Sequence, residues 1–204
     1  GVKELEVSAL AAKAMIDEGA EHVPYLPLVE SGEHGWIGYR FPTDKRIRKG
    51  EMIYIDTGAC IVNGYNGDIA RVKIVGKPSK KQTEIYRVMY DMLFEATDKL
   101  RHRTNTKEVV EAARKVAKKS GYEKNIYFGI IGHGIGTDLH EPPTIGERVV
   151  EHKESEVLQK NMVVCLEPGI LLPNVGGGHL ENMILIRDGK PEILTKTGFE
   201  EEIL

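Results

Sequence analysis

Two histidines seven residues apart, His133 and His140, stand in the segment GHGIGTDLHEPP, which is threaded with glycine and runs straight into Glu-Pro-Pro. A glycine-rich run after an apolar strand suggests a phosphate cradle. The spacing argues against one. Gly132, Gly134 and Gly136 fall at every second position, where a dinucleotide loop needs G-x-G-x-x-G opening a helix. Pro142 and Pro143 remove the helix whose N-terminus would hold a phosphate. The better reading is that the glycines clear side-chain bulk, so that backbone approaches a bound group closely while the imidazoles project toward it. Either histidine alone reads more readily as structural than as catalytic, and only its company changes that.

That company is four carboxylates in places where a carboxylate is costly. Asp56 ends the apolar run MIYID, Asp68 opens DIARV after a tight turn, Glu167 follows MVVCL, and Glu181 interrupts HLENMILI. Burying an unpaired carboxylate costs several kcal/mol or drives up its pKa, so four together need cations. Arg71 and Arg187 supply two charges at most. With His133 the four acids form an oxygen-rich set that suits a pair of divalent ions, Mn²⁺, Co²⁺, Fe²⁺ or Zn²⁺, rather than a thiolate zinc site. Two dications balance four carboxylates, and such a pair lowers the pKa of a shared water and polarises the carbonyl it attacks. The competing reading is four separate strand-end acids facing water.

The elements that must bring these residues together are readable from pattern. Lys3–Glu18 reads as a helix with Leu5, Ala9, Ala12 and Ile16 on one apolar stripe and Gly19 as its stop. From Tyr25 to Val75 short β-rich runs form an antiparallel meander. Ser79 opens a capping box with Gln82, followed by an apolar stripe from Ile85 to Leu100, and a second helix runs from Thr106 to Gly121. NIYFGII, MVVCLEPGI, HLENMILIRDG and PEILT then read as strands. The whole predicts one α+β domain over residues 1–204, with helices covering one face of a mostly antiparallel sheet. The strand-helix alternation of a dinucleotide-binding fold is missing.

With 41% apolar and 29% charged residues, the 204-residue chain has the composition of a globular protein with a sizeable core. A net charge of −3 with mixed signs along the sequence offers no nucleic-acid footprint. No apolar run reaches membrane-spanning length and the N-terminus has no signal pattern, so no membrane partner and a cytoplasmic location are expected. Cys60 and Cys165 sit in apolar runs and read as buried core thiols.

In the order IDTGA…GYNGDIAR, GHGIGTDLHEPP, LEPGILLP and GGGHLENMIL, the chain resembles the pita-bread metallohydrolases: methionine aminopeptidase, Xaa-Pro dipeptidase (prolidase) and Xaa-Pro aminopeptidase, with creatinase as a relative. The resemblance covers nearly the whole chain. It implies a pseudo-twofold pita-bread fold, with Asp56, Asp68, His133, Glu167 and Glu181 as ligands to two divalent ions. It further implies that Glu167 takes a proton from the attacking water, and that His140 hydrogen-bonds the substrate carbonyl and its tetrahedral intermediate. The function implied is hydrolysis of amide bonds in short peptides or small amides, of the Xaa-Pro type, with a homodimer left open. Relatives carry a separate N-terminal domain and a further upstream helix, which are expected to be absent from this chain.

Three departures bear on the substrate. The Asp56–Asp68 spacing is one residue longer than the family pattern, which predicts a longer turn or a bulge. Tyr39 aligns where related peptidases place a substrate-contacting histidine, with His34 nearby but out of register. His179 stands where Xaa-Pro peptidases commonly show arginine. Tyr39, His34 and His179 are therefore the expected substrate-side residues. They also motivate an alternative, hydrolysis of a small metabolite as in creatinase or ectoine hydrolase. A third reading is a non-catalytic pita-bread binding domain, although such binders characteristically lose the metal ligands that this chain carries.

Overall fold

The computed structural model describes residues 1–38, 41–127, 129–146, 156–201 and 203–204. Helix α1 (Glu4–Asp17) stops at Gly19, whose φ of +97° suits a residue without a side chain. Its orientation reverses the sequence expectation. Leu5 and Ile16 of the apolar stripe are exposed, while Glu4 and Ser8 are fully buried. Hydrogen bonding accounts for the reversal. Glu4 accepts from the Ser31 N–H at 2.9 Å, the Ser31 hydroxyl at 2.7 Å and the Thr43 hydroxyl at 2.9 Å, and the Ser8 hydroxyl donates to the Pro27 carbonyl at 2.6 Å. Burial works against this carboxylate, but its donors prevail and hold its pKa below the usual range.

Strand β1 (Leu28–Ser31), a short helix α2 (Glu33–Ile37) that the sequence pattern did not announce, and strands β2 (Met52–Cys60) and β3 (Asn66–Ile74) follow. They form the expected antiparallel meander in the order β1-β2-β3. The β2–β3 register is unbroken from Met52↔Ile74 to Cys60↔Asn66. The extra residue between Asp56 and Asp68 is therefore taken up by a longer turn, where the Ile61 N–H donates to the Tyr65 carbonyl at 2.9 Å, and not by a bulge.

Helix α3 (Lys80–Thr97) begins with the expected capping box: the Gln82 N–H donates to Ser79 Oγ at 3.2 Å and the Ser79 N–H to Gln82 Oε1 at 2.9 Å. Helix α4 (Thr106–Lys119) is capped by Asn105 and buries Val109, Ala113 and Ala117. After it come β4 (Ile130–Gly134), β5 (Glu141–Gly146), β6 (Val163–Leu166), β7 (Gly169–Leu172), β8 (Gly176–His179), β9 (Asn182–Leu185) and β10 (Glu192–Ile193). A second antiparallel sheet has the order β10-β9-β6-β4-β5, and β7 and β8 make a separate hairpin. The run MVVCLEPGI, expected as one strand, is broken at Glu167-Pro168 into β6 and β7. Proline has no N–H to give to a ladder, so the chain leaves the sheet there and carries Glu167 to its edge.

Ile85, Met89, Met92 and Leu93 of α3 pack in one apolar core with Met52 and Tyr54 of β2, Val72 of β3, Leu166 of β6 and Ile184 of β9. The result is the expected α+β arrangement. Two antiparallel sheets contribute side chains to one apolar core with α3. No helix among the described residues is long and apolar enough to cross a membrane.

Candidate metal centre

The β2–β3 hairpin supplies the first two acids. Asp56 is opposite Ala70 and Gly58 opposite Asp68, so the aspartates are diagonal neighbours on one face. Tyr25, from the loop after α1, reaches across them. Its hydroxyl lies 2.5 Å from Asp56 Oδ1 and 2.6 Å from Asp68 Oδ1. Gly58 makes room for this, since a Cβ there would stand 2.6 Å from the Gly67 carbonyl oxygen and 3.1 Å from the Tyr25 ring.

The second sheet supplies the rest. His133 on β4 is the cross-strand partner of Cys165 on β6, and Cys165 in turn of Met183 on β9. Strand alternation then carries Glu167, two residues after Cys165, and Glu181, two before Met183, to the same face. The His133 Nδ1–H donates to the Gly134 carbonyl at 3.0 Å, which turns Nε2 toward Glu167 Oε1 at 3.6 Å and Asp68 Oδ2 at 4.0 Å. The glycines around His133 serve the sheet rather than a ligand, contrary to the sequence reading. A methyl group at Gly132 would collide with the Cys165 carbonyl oxygen, and one at Gly134 with the Pro142 carbonyl oxygen.

Asp56, Asp68, His133, Glu167 and Glu181 all line one cleft of about 290 Å³, with His140, His179, Tyr25 and Tyr127 beside them. The His140 ring lies 4.4 Å from that of His133. His179 is buried, with Nε2 2.8 Å from the Tyr54 hydroxyl, 3.2 Å from Glu167 Oε2 and 3.6 Å from Asp56 Oδ2. It faces the acids of the cleft more than its opening. His34 does not line the cleft: its Nδ1 is 2.9 Å from the buried Glu4 carboxylate, which claims it for the α1–α2 junction. Tyr39 lies outside the described residues.

Charge is unevenly shared in this cleft. Burial, then the neighbouring Asp56 charge, pushes the Asp68 carboxyl up to about 7. Burial also works against Asp56, but His179 and the hydroxyls of Tyr25 and Tyr54 more than compensate and hold it low. Glu181 is driven well above its ordinary value by burial and by the charges of Asp68 and Glu167. Burial brings His133 down to about 4, so it is a neutral imidazole with a free lone pair at neutral pH. Burial opposes a charge on His179, yet the Glu167 and Asp56 carboxylates raise its pKa. One imidazolium cannot balance four acids. Asp68, His133, Cys165 and Glu181 each bring a donor atom within 4.8 Å of the other three, so the donor set fits a divalent cation in both chemistry and proximity.

Sequence reasoning missed Tyr25, Tyr54 and Cys165. Tyr54 and Cys165 were within reach, since each lies two residues before a marked acid on a strand and so shares its face. Tyr25 sits in a loop with no periodic signal.

The family model of metallopeptidase family M24 matches residues 1–188. The Xaa-Pro dipeptidase of Pyrococcus furiosus is 35% identical over 204 residues, covering 100% of this chain and 56% of that protein. The Xaa-Pro dipeptidase of Pyrococcus horikoshii is 36% identical, again over 56% of its length. Among solved structures, prolidase from Pyrococcus furiosus superposes with a TM-score of 0.89 at 34% identity, covering 97% of this chain and 57% of that one. X-Pro aminopeptidase from Thermotoga maritima gives 0.90 at 31% identity, covering 97% of this chain and 54% of that one. The chain thus spans little more than half the length of the relatives it matches.

Proposed function

The chain belongs to metallopeptidase family M24 and has its pita-bread α+β fold, and from that premise we propose that it hydrolyses amide bonds in short peptides of the Xaa-Pro type with two divalent ions per chain. The observation that carries this is the convergence of Asp56, Asp68, His133, Glu167 and Glu181, drawn from both sheets, on one cleft with His140 beside them. In this reading the five side chains hold the ions, drawn from Mn²⁺, Co²⁺, Fe²⁺ and Zn²⁺. Bound dications supply Lewis acidity and lower the pKa of water. Glu167 takes the proton of the attacking water. It keeps some contact with the cleft, its side chain being 18% exposed, and its two oxygens lie 3.6 Å from His133 Nε2 and 3.2 Å from His179 Nε2. His140 hydrogen-bonds the substrate carbonyl and the developing oxyanion. A cytoplasmic location belongs to the same proposal.

One observation favours the metabolite-hydrolase alternative. His179 is drawn into Glu167 and Asp56, so it is not presented as a cation for a peptide carboxylate. The deciding experiment compares Ala-Pro, Met-Ala-Ser and a panel of cyclic and amidine metabolites, each with the metal-freed protein and after return of Mn²⁺ or Co²⁺. Cation-dependent cleavage of Ala-Pro alone supports the proposal. Cleavage of a panel metabolite with both peptides intact moves the assignment to the alternative, and Ala-Pro cleavage that survives chelation rejects the metal-centre role.

A further inference from the structure

Cys165 is the buried core thiol the sequence suggests, but its surroundings are polar. It is fully buried, yet it stands apart from the apolar cluster that α3 organises. On β6 it lies between the strand of His133 and the strand that follows Glu181, directly across from His133 and with Glu181 as hydrogen-bond partner. Its Sγ is one of four donor atoms within 4.8 Å of one another, the others coming from Asp68, His133 and Glu181, all at most 7% exposed. These four residues lie on or beside four different strands. The grouping is therefore a product of the tertiary fold and not of local sequence.

We propose that Cys165 is a sulfur ligand of the metal centre, making a mixed Asp68–His133–Cys165–Glu181 site that selects a thiophilic divalent ion, Zn²⁺, Co²⁺ or Fe²⁺, over Mn²⁺ and Mg²⁺. This rests on the metal-centre reading above and adds one donor to it. The chemistry is direct: carboxylate and carbonyl oxygens suit Mn²⁺ and Mg²⁺, whereas thiolate favours softer ions. On binding, the Sγ–H bond is lost, its proton leaves to solvent and a metal–sulfur bond forms. Cys60, the other cysteine, lies by Glu21 at the far end of the β2–β3 hairpin and serves as an internal control.

The test loads the full chain, freed of metal by chelation, with Co²⁺ under anaerobic reducing conditions, and reads cobalt content and the absorption spectrum together. A near-ultraviolet sulfur-to-cobalt charge-transfer band is expected in the wild type and in Cys60→Ser. The band is expected to disappear in Cys165→Ser while cobalt remains bound. The same variant should lower the zinc-to-manganese ratio retained from an equimolar mixture by about tenfold. X-ray absorption of the zinc-loaded wild type, which needs no variant to fold, should show sulfur at about 2.3 Å. Full cobalt content without the band, or zinc without sulfur at that distance, overturns the sulfur ligand and leaves the metal centre standing. A band that survives in Cys165→Ser overturns it too. A wild type that retains no cobalt at all overturns the metal-centre reading first, and this inference with it.

Discussion

Replacing Asp68 with asparagine should stabilise the metal-free protein while weakening its hold on metal. The carboxyl, 3.8 in its ordinary state, is pushed up to about 7 in the fold, because burial and the Asp56 charge oppose its ionisation. A shift of that size corresponds to about 4 kcal/mol. The sign follows from proton linkage: the unfolded chain ionises Asp68 first, so folded stability falls as pH rises from about 4 to about 7 and stays low above that. Asp56, whose pKa is held low, is common to both proteins and largely cancels from the comparison, so, after the cost of burying an amide, a net gain of about 2–4 kcal/mol is expected for Asp68→Asn at pH 8. By pH 4 the advantage should shrink to below about 1 kcal/mol. Urea unfolding of both proteins in chelator, followed by circular dichroism at pH 4, 6 and 8, measures it. In a chain of this length the gain at pH 8 corresponds to a melting temperature higher by about 4–15 °C. The reasoning is refuted if metal-free Asp68→Asn is no more stable than the wild type at pH 8, or if its advantage is the same at pH 4.

Other perturbations probe the parts that hold the centre in place. Tyr54→Phe removes the hydroxyl 2.5 Å from Asp56 Oδ2 and 2.8 Å from His179 Nε2, and should cost about 1.5–3 kcal/mol in chemical unfolding. Gly132→Ala forces β4 away from the Cys165 carbonyl. It should destabilise by about 1–3 kcal/mol and displace His133, read as a lowered melting temperature together with weakened metal retention. Ser79→Ala breaks the α3 capping box remote from the cleft, so a loss of about 1 kcal/mol with unchanged metal content is expected.

These perturbations differ in how far the sequence alone would have suggested them. Helix α3 was legible because a local signal and a global one agree: the Ser79–Gln82 box sets its start and the stripe from Ile85 to Leu100 faces the core. The marked acids were legible as interruptions in apolar runs, and alternation explains why such positions meet. Helix α1 misled because its apolar residues face outward, while a buried Glu4 is satisfied by Ser31 and Thr43, partners distant in sequence. The same carboxylate captures His34, and no spacing rule could foresee that. The β7–β8 hairpin escaped because Gly176, Gly177 and Gly178 carry no strand propensity. They are there for fit: with a Cβ, Gly176 would stand 2.7 Å from the Met52 sulfur and Gly178 2.8 Å from the Tyr54 ring. Cys165 was read by its apolar neighbours in the chain, whereas its neighbours across the strands are His133 and Met183.

The central claim is that the acids and His133 form a cation site on which amide hydrolysis depends. The measurement that bears on it most directly is elemental analysis of wild type and His133→Ala after reconstitution, paired with Ala-Pro hydrolysis by the same samples. Two divalent ions per wild-type chain are predicted, with cleavage that follows their content and falls with it in the variant. A wild type that cleaves Ala-Pro at full rate with no bound cation, or a His133→Ala protein that keeps both its ions and its activity, would contradict the account.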